Sequence, residues 1–198
     1  WQVTVALHKG HQDDVHRVLE IWPGLHESGL FGLAIDLGST TIAAHLCDLQ
    51  TGEVKASSGI MNPQIRFGED LMSRVSYSMM NEGGAAEMTK AVREGMNTLI
   101  GELVAEVDAA PADILDAVMV CNPVMHHLLL GIDPYELGQA PCALATSDAL
   151  TIAARDLDLD LHAEASVYLL PCIAGHVGAD AAAVTLSEAP EKSDDLVL

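Results

Sequence analysis

Apolar residues follow two different periods along the chain, and the alternation between them predicts a mixed α/β fold. Apolar runs near residues 31–48 and 54–60 predict three leading antiparallel strands joined by tight turns. A later stretch has an apolar residue at every third or fourth position, which predicts one face of a long helix ending before Pro111. The residues of that face are Met88, Val92, Met96, Leu99, Leu103 and Val107.

Two strand-and-helix pairs follow this helix. Residues 117–121 form an apolar run, and Asn122-Pro123 supplies an N-cap and a first-turn proline for a short helix. Residues 165–171 are strand-like, and a glycine-rich turn leads from them into an alanine-rich helix whose small side chains allow close packing. The acidic stretch at residues 147–162 is interpreted as a solvated face.

The short helix carries two adjacent histidines, His126 and His127. Neighbouring helical residues point to different faces, and a two-histidine metal site prefers a spacing of four. We therefore expect one of the two imidazoles to be buried and hydrogen-bonded and the other to be exposed.

Other polar residues leave alternatives open. Arg66 and Arg74 stand out in a chain with nine basic residues. Each could contact a phosphate, but pairing with the acidic residues at 69–70 is the favoured interpretation. His176 and Asp180 flank the glycine-rich turn, where they form either a ligand-facing pair or a cap interaction.

The N-terminal segment is less regular. Residues 1–7 alternate like a short strand, whereas residues 8–28 are polar and contain a Pro-Gly break, so they are interpreted as a solvated linker. His8, His11 and His16 could in principle bind a metal, but no regular pattern places them on one face.

Composition narrows the functional classes. The formal net charge of −20 argues against nucleic acid and anionic membrane as partners, because both would repel the chain. No apolar run approaches the roughly 20 residues that span a bilayer and no secretory h-region opens the chain, so a cytoplasmic location is the default expectation. The spacing of the cysteines favours reduced thiols over a disulfide framework or a zinc site; they are Cys47, Cys121, Cys142 and Cys172.

The turn after the first strand of the sheet carries the richest chemistry. Asp36 ends an apolar run, where an unpaired carboxylate is costly to desolvate and a cation is expected nearby. Gly38 lets the backbone approach a ligand, and the amides and hydroxyls of Ser39, Thr40 and Thr41 can form an anion-binding concavity. A carboxylate for a metal beside donors for phosphate suits a nucleotide. The alternative is an ordinary hairpin turn.

The segment Asp36-Leu-Gly-Ser-Thr-Thr41 resembles the first phosphate motif of the actin-like ATPase superfamily. The resemblance implies an actin-like, ribonuclease H-like lobe with a mixed five-stranded sheet, three leading antiparallel strands and helices on both faces. It also implies that the aspartate lies beside the metal and that the turn wraps the β- and γ-phosphates.

A closer resemblance covers the chain from about residue 31 onward. Several segments together resemble the ATPase region of the reductive activators of corrinoid proteins: Asn62-Pro-Gln64, Phe67-Gly68, Ser73-Arg74, the stretch from Cys121 to Pro134, and Gly175-His-Val-Gly-Ala-Asp180. Members of this family carry a [2Fe–2S] domain and use ATP to reduce cob(II)alamin to cob(I)alamin in a partner. The resemblance thus implies a corrinoid protein as partner and allows a homodimer.

The chain departs from the full pattern of that family. It contains no four-cysteine ferredoxin motif and no second Asp-x-Gly phosphate motif. We therefore interpret residues 1–29 as a remnant of the linker or middle region and residues 30–198 as the first lobe. The [2Fe–2S] cluster is expected in the parent protein and not in this chain, and the isolated lobe is expected to have weak or no ATPase activity.

The resemblance also implies roles for individual residues. Asp36 would be the catalytic carboxylate and the contact for Mg²⁺. The residues that would hold the ATP phosphates, as half of a cleft, are Gly38, Ser39, Thr40 and Thr41. Further cofactor-binding positions, near the cleft or the face toward the corrinoid partner, are Asn122, Gly175, Gly178 and Asp180.

Two alternatives remain open at the level of sequence. A small-molecule kinase of the same superfamily would share the phosphate turn but require a catalytic base over a substrate pocket. A non-catalytic interaction module would keep the fold without the nucleotide.

Overall fold

The protein consists of a hairpin, a six-stranded sheet and four α-helices over the residues that the computed structural model describes, 1–10, 16–26 and 29–189. The hairpin pairs β1 (Val3–Lys9) with β2 (His16–Pro23). The sheet contains β3 (Phe31–Leu37), β4 (Thr41–Asp48), β5 (Val54–Met61), β6 (Ile114–Cys121), β7 (Leu150–Ala153) and β8 (Ser166–Leu169). The helices are α1 (Leu71–Met80), α2 (Gly84–Glu106), α3 (Pro123–Leu130) and α4 (Ala179–Glu188).

The strands of the sheet follow the order β5-β4-β3-β6-β8-β7. β4 is antiparallel to both of its neighbours, β3 and β5. β6 is parallel to β3 and β8 is parallel to β6, whereas β7 is antiparallel to β8. This confirms the predicted mixed α/β sheet with three leading antiparallel strands. Because β3, β6 and β8 are parallel, their C-terminal ends meet at one edge of the sheet, where ligands bind in open α/β folds.

One face of the sheet is buried and the other is partly open. Along β3 the side chains of Leu33, Ile35 and Leu37 are buried, whereas Ala34 and Asp36 between them are exposed. The predicted long helix is confirmed as α2, which packs on β4, β5 and α3. Burying a large aliphatic side chain contributes about 1.5–3 kcal/mol, so this interface dominates the core.

The sheet has six strands and not the predicted five. The sixth is β7, a four-residue edge strand within the stretch that was interpreted only as a solvated face. Its brevity removes the alternating signal that reveals longer strands. The solvated face itself is confirmed at Asp156, Asp158 and Asp160, which are exposed between buried leucines.

The N-terminal segment contains more regular structure than predicted. β2 lies within residues 8–28, for which the sequence predicts a solvated linker. Its backbone N–H and C=O groups are satisfied by pairing with β1, and a polar sequence gives no sign of such pairing. His8 lies 3.6 Å from Asp116 and His162 lies 3.0 Å from Glu20, so side chains link the hairpin to the lobe. His11 and the predicted turn and strand at residues 193–198 lie outside the described residues.

Both histidines of α3 are buried, so the prediction that one is exposed is wrong. His127 Nδ1 lies 2.8 Å from the carbonyl oxygen of Pro123, and its Nε2 accepts a hydrogen bond from the backbone N–H of Ala145 at 3.0 Å. His126 has no hydrogen-bond partner at either ring nitrogen. The reason is that α3 is enclosed on all sides, with buried residues around its circumference.

Within the described ranges, no helix has the length and apolar character needed to span a bilayer.

Two glycines of α2 make a matched pair for testing packing. A methyl group at Gly95 would lie 2.8 Å from Pro63 Cγ, whereas one at Gly101 would meet nothing within 4 Å. We expect Gly101→Ala to stabilise the protein by about 0.5–1 kcal/mol through helix propensity. Gly95→Ala is expected to lose that gain and to destabilise by about 1–3 kcal/mol, because the proline ring cannot move aside easily. Urea denaturation of both variants checks this, and equal stabilisation would contradict the packing.

The buried imidazole of His126 makes stability depend on pH. Burial, reinforced by His127, lowers the pKa of His126 from its ordinary value to about 4. Between pH 6.5 and 4 the unfolded chain binds a proton that the folded chain excludes, so the free energy of unfolding falls by up to about 3 kcal/mol as the pH decreases through this window. His126→Leu should reduce this slope, and the exposed control His45→Leu should leave it unchanged. Urea denaturation at several pH values measures the slope.

Candidate functional site

Three turns meet at the edge where the parallel strands end. The turn after β3 contains residues 38–41, the turn after β6 is the start of α3 at Asn122, and the turn after β8 runs through residues 171–178 into α4. The register places Leu37 beside Cys121, which brings the first two turns together. The structure therefore gathers at one edge the segments from which all the predicted site residues come.

The turn between β3 and β4 is closed by the backbone. The Gly38 N–H donates a hydrogen bond to the carbonyl oxygen of Thr41 at 3.0 Å. A side chain at Gly38 would come within 2.6 Å of that same oxygen, so this tight closure requires glycine. Ser39 is half-buried, whereas Thr40 and Thr41 are exposed at the edge.

Three successive carbonyl groups of this turn are held from the protein side. The Asn62 side chain donates to the carbonyl oxygen of Gly38 at 2.8 Å, and the Asn62 backbone N–H donates to that of Thr40 at 2.8 Å. The carbonyl between them, that of Ser39, accepts a short hydrogen bond from Arg74 Nη2. The carbonyl side of the turn is thus fixed by two residues, Asn62 and Arg74.

Fixing these carbonyls also directs the amide groups. In a trans peptide the N–H of the next residue points opposite to the carbonyl. The N–H groups of Ser39, Thr40 and Thr41 are therefore directed away from the side that Asn62 and Arg74 occupy. Successive amides of a turn can hold a phosphate group, so the anion-binding concavity at this turn stays a prediction.

Arg74 is fully buried, so the prediction that it pairs with an acidic neighbour is wrong. Besides Ser39, its guanidinium donates to the carbonyl oxygen of Gly68 at 3.0 Å and to Gln64 Oε1 at 3.3 Å. Burial lowers the pKa of the guanidinium below its ordinary value, which the nearby charge of Asp70 opposes. Carbonyl and amide acceptors thus compensate for the loss of water around this charge.

The acidic neighbours of Arg74 have other roles. Asp70 is the N-cap of α1, and its carboxylate accepts hydrogen bonds from the Ser73 backbone at 2.7 Å and the Ser73 hydroxyl at 2.8 Å. These bonds hold the pKa of Asp70 below its usual range. Arg66 lies over the ring of Phe67, 4.7 Å from the centroid.

The charge of one carboxylate acts on another at the open side of the site. Asp36 is solvent-accessible on the open face of the sheet, and Asp180 lies in the first turn of α4. Partial desolvation and the charge of Asp180 raise the pKa of Asp36 above its ordinary value. Asp180 Oδ1 also accepts the Ala181 N–H at 2.8 Å. A divalent cation beside Asp36 would favour its ionised form, and metal binding by this carboxylate stays a prediction.

The turns after β6 and β8 approach each other closely. The Asn122 side chain caps α3 by accepting the Met125 N–H at 3.0 Å, which confirms the predicted N-cap. A methyl group at Gly178 would overlap the carbonyl oxygen of Cys121 and lie 2.6 Å from Asn122 Cα. Gly178 therefore allows α4 to begin against the start of α3. Contact of Asn122 with a nucleotide stays a prediction, because its oxygen is already used by the cap.

The remaining predicted position, Gly175, packs against protein. A methyl group there would overlap the carbonyl oxygen of Cys142. The next residue, His176, places its Nε2 3.0 Å from Cys142 Sγ and is exposed. This glycine thus holds the turn against the loop that carries Cys142, and a direct ligand contact stays a prediction.

Sequence reasoning missed the polar support beneath the turn. Asn62 and Gln64 are fully buried, and Gln64 bridges the network by accepting from Arg74 and donating to the carbonyl oxygen of Met88 at 2.9 Å. The available signal was the rarity of arginine in this acidic chain. The role of Arg74 is nevertheless indirect, since its guanidinium contacts the backbone of the turn and not an anion.

Two observations limit the site further. Over the ranges that the structure describes, no cluster of three or more His, Cys, Asp or Glu residues forms a ready-made metal site. A cavity of about 1000 Å³ lies elsewhere, beside the α1–α2 turn, and includes none of the strand-end turns. The predicted role of the strand-end turns as half of a nucleotide cleft stays a prediction.

The comparisons with known proteins identify the family to which this mixed α/β fold belongs. The family model described as RACo middle region matches residues 31–192, so the chain belongs to that family. The corrinoid activation enzyme RamQ of Eubacterium limosum is 28% identical over 184 residues, 92% of this chain. A solved structure, reductive activator for corrinoid, iron-sulfur protein, matches 98% of this chain with a TM-score of 0.90 and 33% identity.

The extent of these matches adds two facts. The chain spans 31% of the length of RamQ and 31% of the reductive activator chain. Although the family model begins at residue 31, the structural match covers 98% of this chain and so includes most of the N-terminal hairpin. The hairpin is therefore shared with a relative and lies outside the family model.

Replacing Arg74 tests the support of the turn. Arg74→Met would leave the carbonyls of Ser39 and Gly68 without partners, at about 1–3 kcal/mol each, so we expect a total loss of about 2–6 kcal/mol of stability. Amide hydrogen exchange at residues 38–41 should accelerate beyond the global change. The control Arg66→Met, which removes an exposed ring contact, should cost at most about 1 kcal/mol. If the two variants had equal effects on denaturation and on amide exchange, the conclusion that Arg74 holds the turn at residues 38–41 would be contradicted.

Proposed function

We propose that this chain is the nucleotide-binding lobe of an ATP-dependent reductive activator of a corrinoid protein. The proposed reaction of the parent protein returns cob(II)alamin to cob(I)alamin, with electrons from an iron–sulfur domain that this chain lacks. Membership in the RACo middle region family and the similarity to RamQ support a role in corrinoid activation.

The observation that carries the nucleotide part of the proposal is the fixed turn at residues 38–41. Asn62 and Arg74 hold its carbonyls, so its amides are directed outward before any ligand arrives. Such preorganisation lowers the entropic cost of binding an anion. The hydroxyls of Thr40 and Thr41 are exposed beside these amides and add further donors for phosphate.

The metal part of the proposal rests on Asp36 and Asp180. Mg²⁺ prefers oxygen ligands and keeps several waters, so one or two carboxylates together with phosphate oxygens are sufficient. Partial desolvation and, after it, the charge of Asp180 raise the pKa of Asp36, and a bound cation would oppose both effects by favouring the ionised carboxylate. Mg²⁺ would neutralise phosphate charge, while Asp36 would orient the hydrated ion.

The proposed mechanism depends on a second lobe of the parent protein. If this lobe supplies half of the contacts to the nucleotide and a second lobe supplies the rest, a nucleotide that bridges the two lobes favours the closed form of the protein over the open form. This couples nucleotide binding and hydrolysis to affinity for the corrinoid partner. For this lobe alone we expect weak nucleotide binding and little ATP hydrolysis.

Asp36→Asn tests the proposal in the protein that contains this lobe. We expect the affinity for ATP in the presence of Mg²⁺ to fall about tenfold or more, equivalent to about 1.4 kcal/mol, because the carboxylate that attracts the cation is lost. Binding of ATP with EDTA should change little. The control Asp48→Asn alters a carboxylate at the opposite end of β4 that caps a turn, and should leave both affinities unchanged. Isothermal titration calorimetry measures these constants.

Two results would overturn this assignment. Absence of ATP binding by the folded wild-type protein would favour a non-catalytic interaction module. Phosphoryl transfer to a small molecule, without dependence on a corrinoid protein, would favour a kinase.

A further inference from the structure

Cys142 and His176 form a thiol–imidazole pair beside the candidate nucleotide site. Cys142 Sγ lies 3.0 Å from His176 Nε2, although the residues are 34 positions apart in the chain. Cys142 is half-buried and His176 is exposed, so a small reagent can reach the pair. A nucleophile and a base within hydrogen-bond reach are the minimal arrangement for an activated thiol.

The other cysteines do not share this arrangement. Cys121 and Cys172 are buried, and burial raises the pKa of both thiols, which makes them poor nucleophiles. Cys47 is half-buried like Cys142, but its Sγ lies 3.9 Å from the backbone carbonyl oxygen of His45, which is not a base. Cys47 is therefore a matched internal control.

We propose that Cys142 and His176 form a reactive-thiol site that exchanges with low-molecular-weight disulfides. His176 Nε2 accepts the thiol proton while Cys142 Sγ forms a bond to one sulfur of the disulfide. The original S–S bond breaks, and the released thiolate takes the proton from His176. One disulfide and one protein thiol thus yield a mixed disulfide and one free thiol, so atoms and electrons balance.

An adduct at this site would act on the turn that precedes α4. The carbonyl group of Cys142 packs directly on Gly175, and the same turn packs on the carbonyl of Cys121 at Gly178. We expect a group added to Cys142 Sγ to displace the imidazole of His176 and, with it, the turn at residues 175–178. Because Asp180 follows this turn, the adduct would weaken nucleotide binding; this consequence rests on the proposed function, whereas the exchange itself does not.

The exchange is tested with oxidised glutathione on the full 198-residue chain, by mass spectrometry of the intact protein and its digests. We expect Cys142 to form the mixed disulfide at least about tenfold faster than Cys47, as a positioned general base provides. His176→Gln keeps a polar side chain but cannot take the proton, and should slow Cys142 about tenfold without changing Cys47. Cys47→Ser should leave the rate at Cys142 unchanged.

The pH dependence separates a base from a structural contact. With His176 present, the rate at Cys142 should rise less steeply between pH 6.5 and 8.5 than the rate at Cys47, and His176→Gln should restore the steeper rise. Circular dichroism checks that the variant is folded. Equal rates at the two cysteines, or a Cys142 rate that does not respond to His176→Gln, would overturn the proposal.

The coupling is tested by titrating the parent protein with ATP and Mg²⁺ before and after thiolation. We expect affinity about tenfold lower after thiolation, restored by dithiothreitol. Unchanged affinity would overturn the coupling alone. Absence of binding by the reduced protein would overturn the proposed function and the coupling together, whereas the exchange rates would still decide the thiol site.

Discussion

A buried guanidinium determines the geometry of this lobe. Arg74 has no exposed surface, and its hydrogen bonds connect α1 to the turn after β3 and to the short helical turn that begins at Asn62. A buried charge without partners would cost several kcal/mol, so the core is stable only when these acceptors are in place. The charge therefore specifies one conformation of the turn at residues 38–41.

This constraint makes the two sides of the turn unequal. On the protein side the carbonyls of residues 38–40 accept hydrogen bonds from Asn62 and Arg74, and the N–H group of each of these peptides points the opposite way. The proposed nucleotide would use these amides, and the proposed cation would use the carboxylates of Asp36 and Asp180, so the proposal needs both ligands to bind together.

The close approach of the neighbouring turns has a second consequence. Gly178 brings the start of α4 against the start of α3, and Gly175 brings the same turn against Cys142. Because these backbone segments are closely packed, a displacement of one of them has to move its neighbour as well. The turn at residues 175–178 contacts the carbonyl of Cys142 and leads directly to Asp180, so the proposed effect of thiolation would pass through this turn.

The sequence by itself determined the elements with strong local signals. Periodicity predicted α2 and the leading strands, the Asn122-Pro123 cap predicted the start of α3, and one motif identified the turn after β3. Tertiary structure alone decided where Arg74 donates, that both histidines of α3 are buried, and that β2 and β7 form. The physical reason is that periodicity and caps act within about four residues, whereas those outcomes depend on acceptors, burial and strand partners supplied by distant segments.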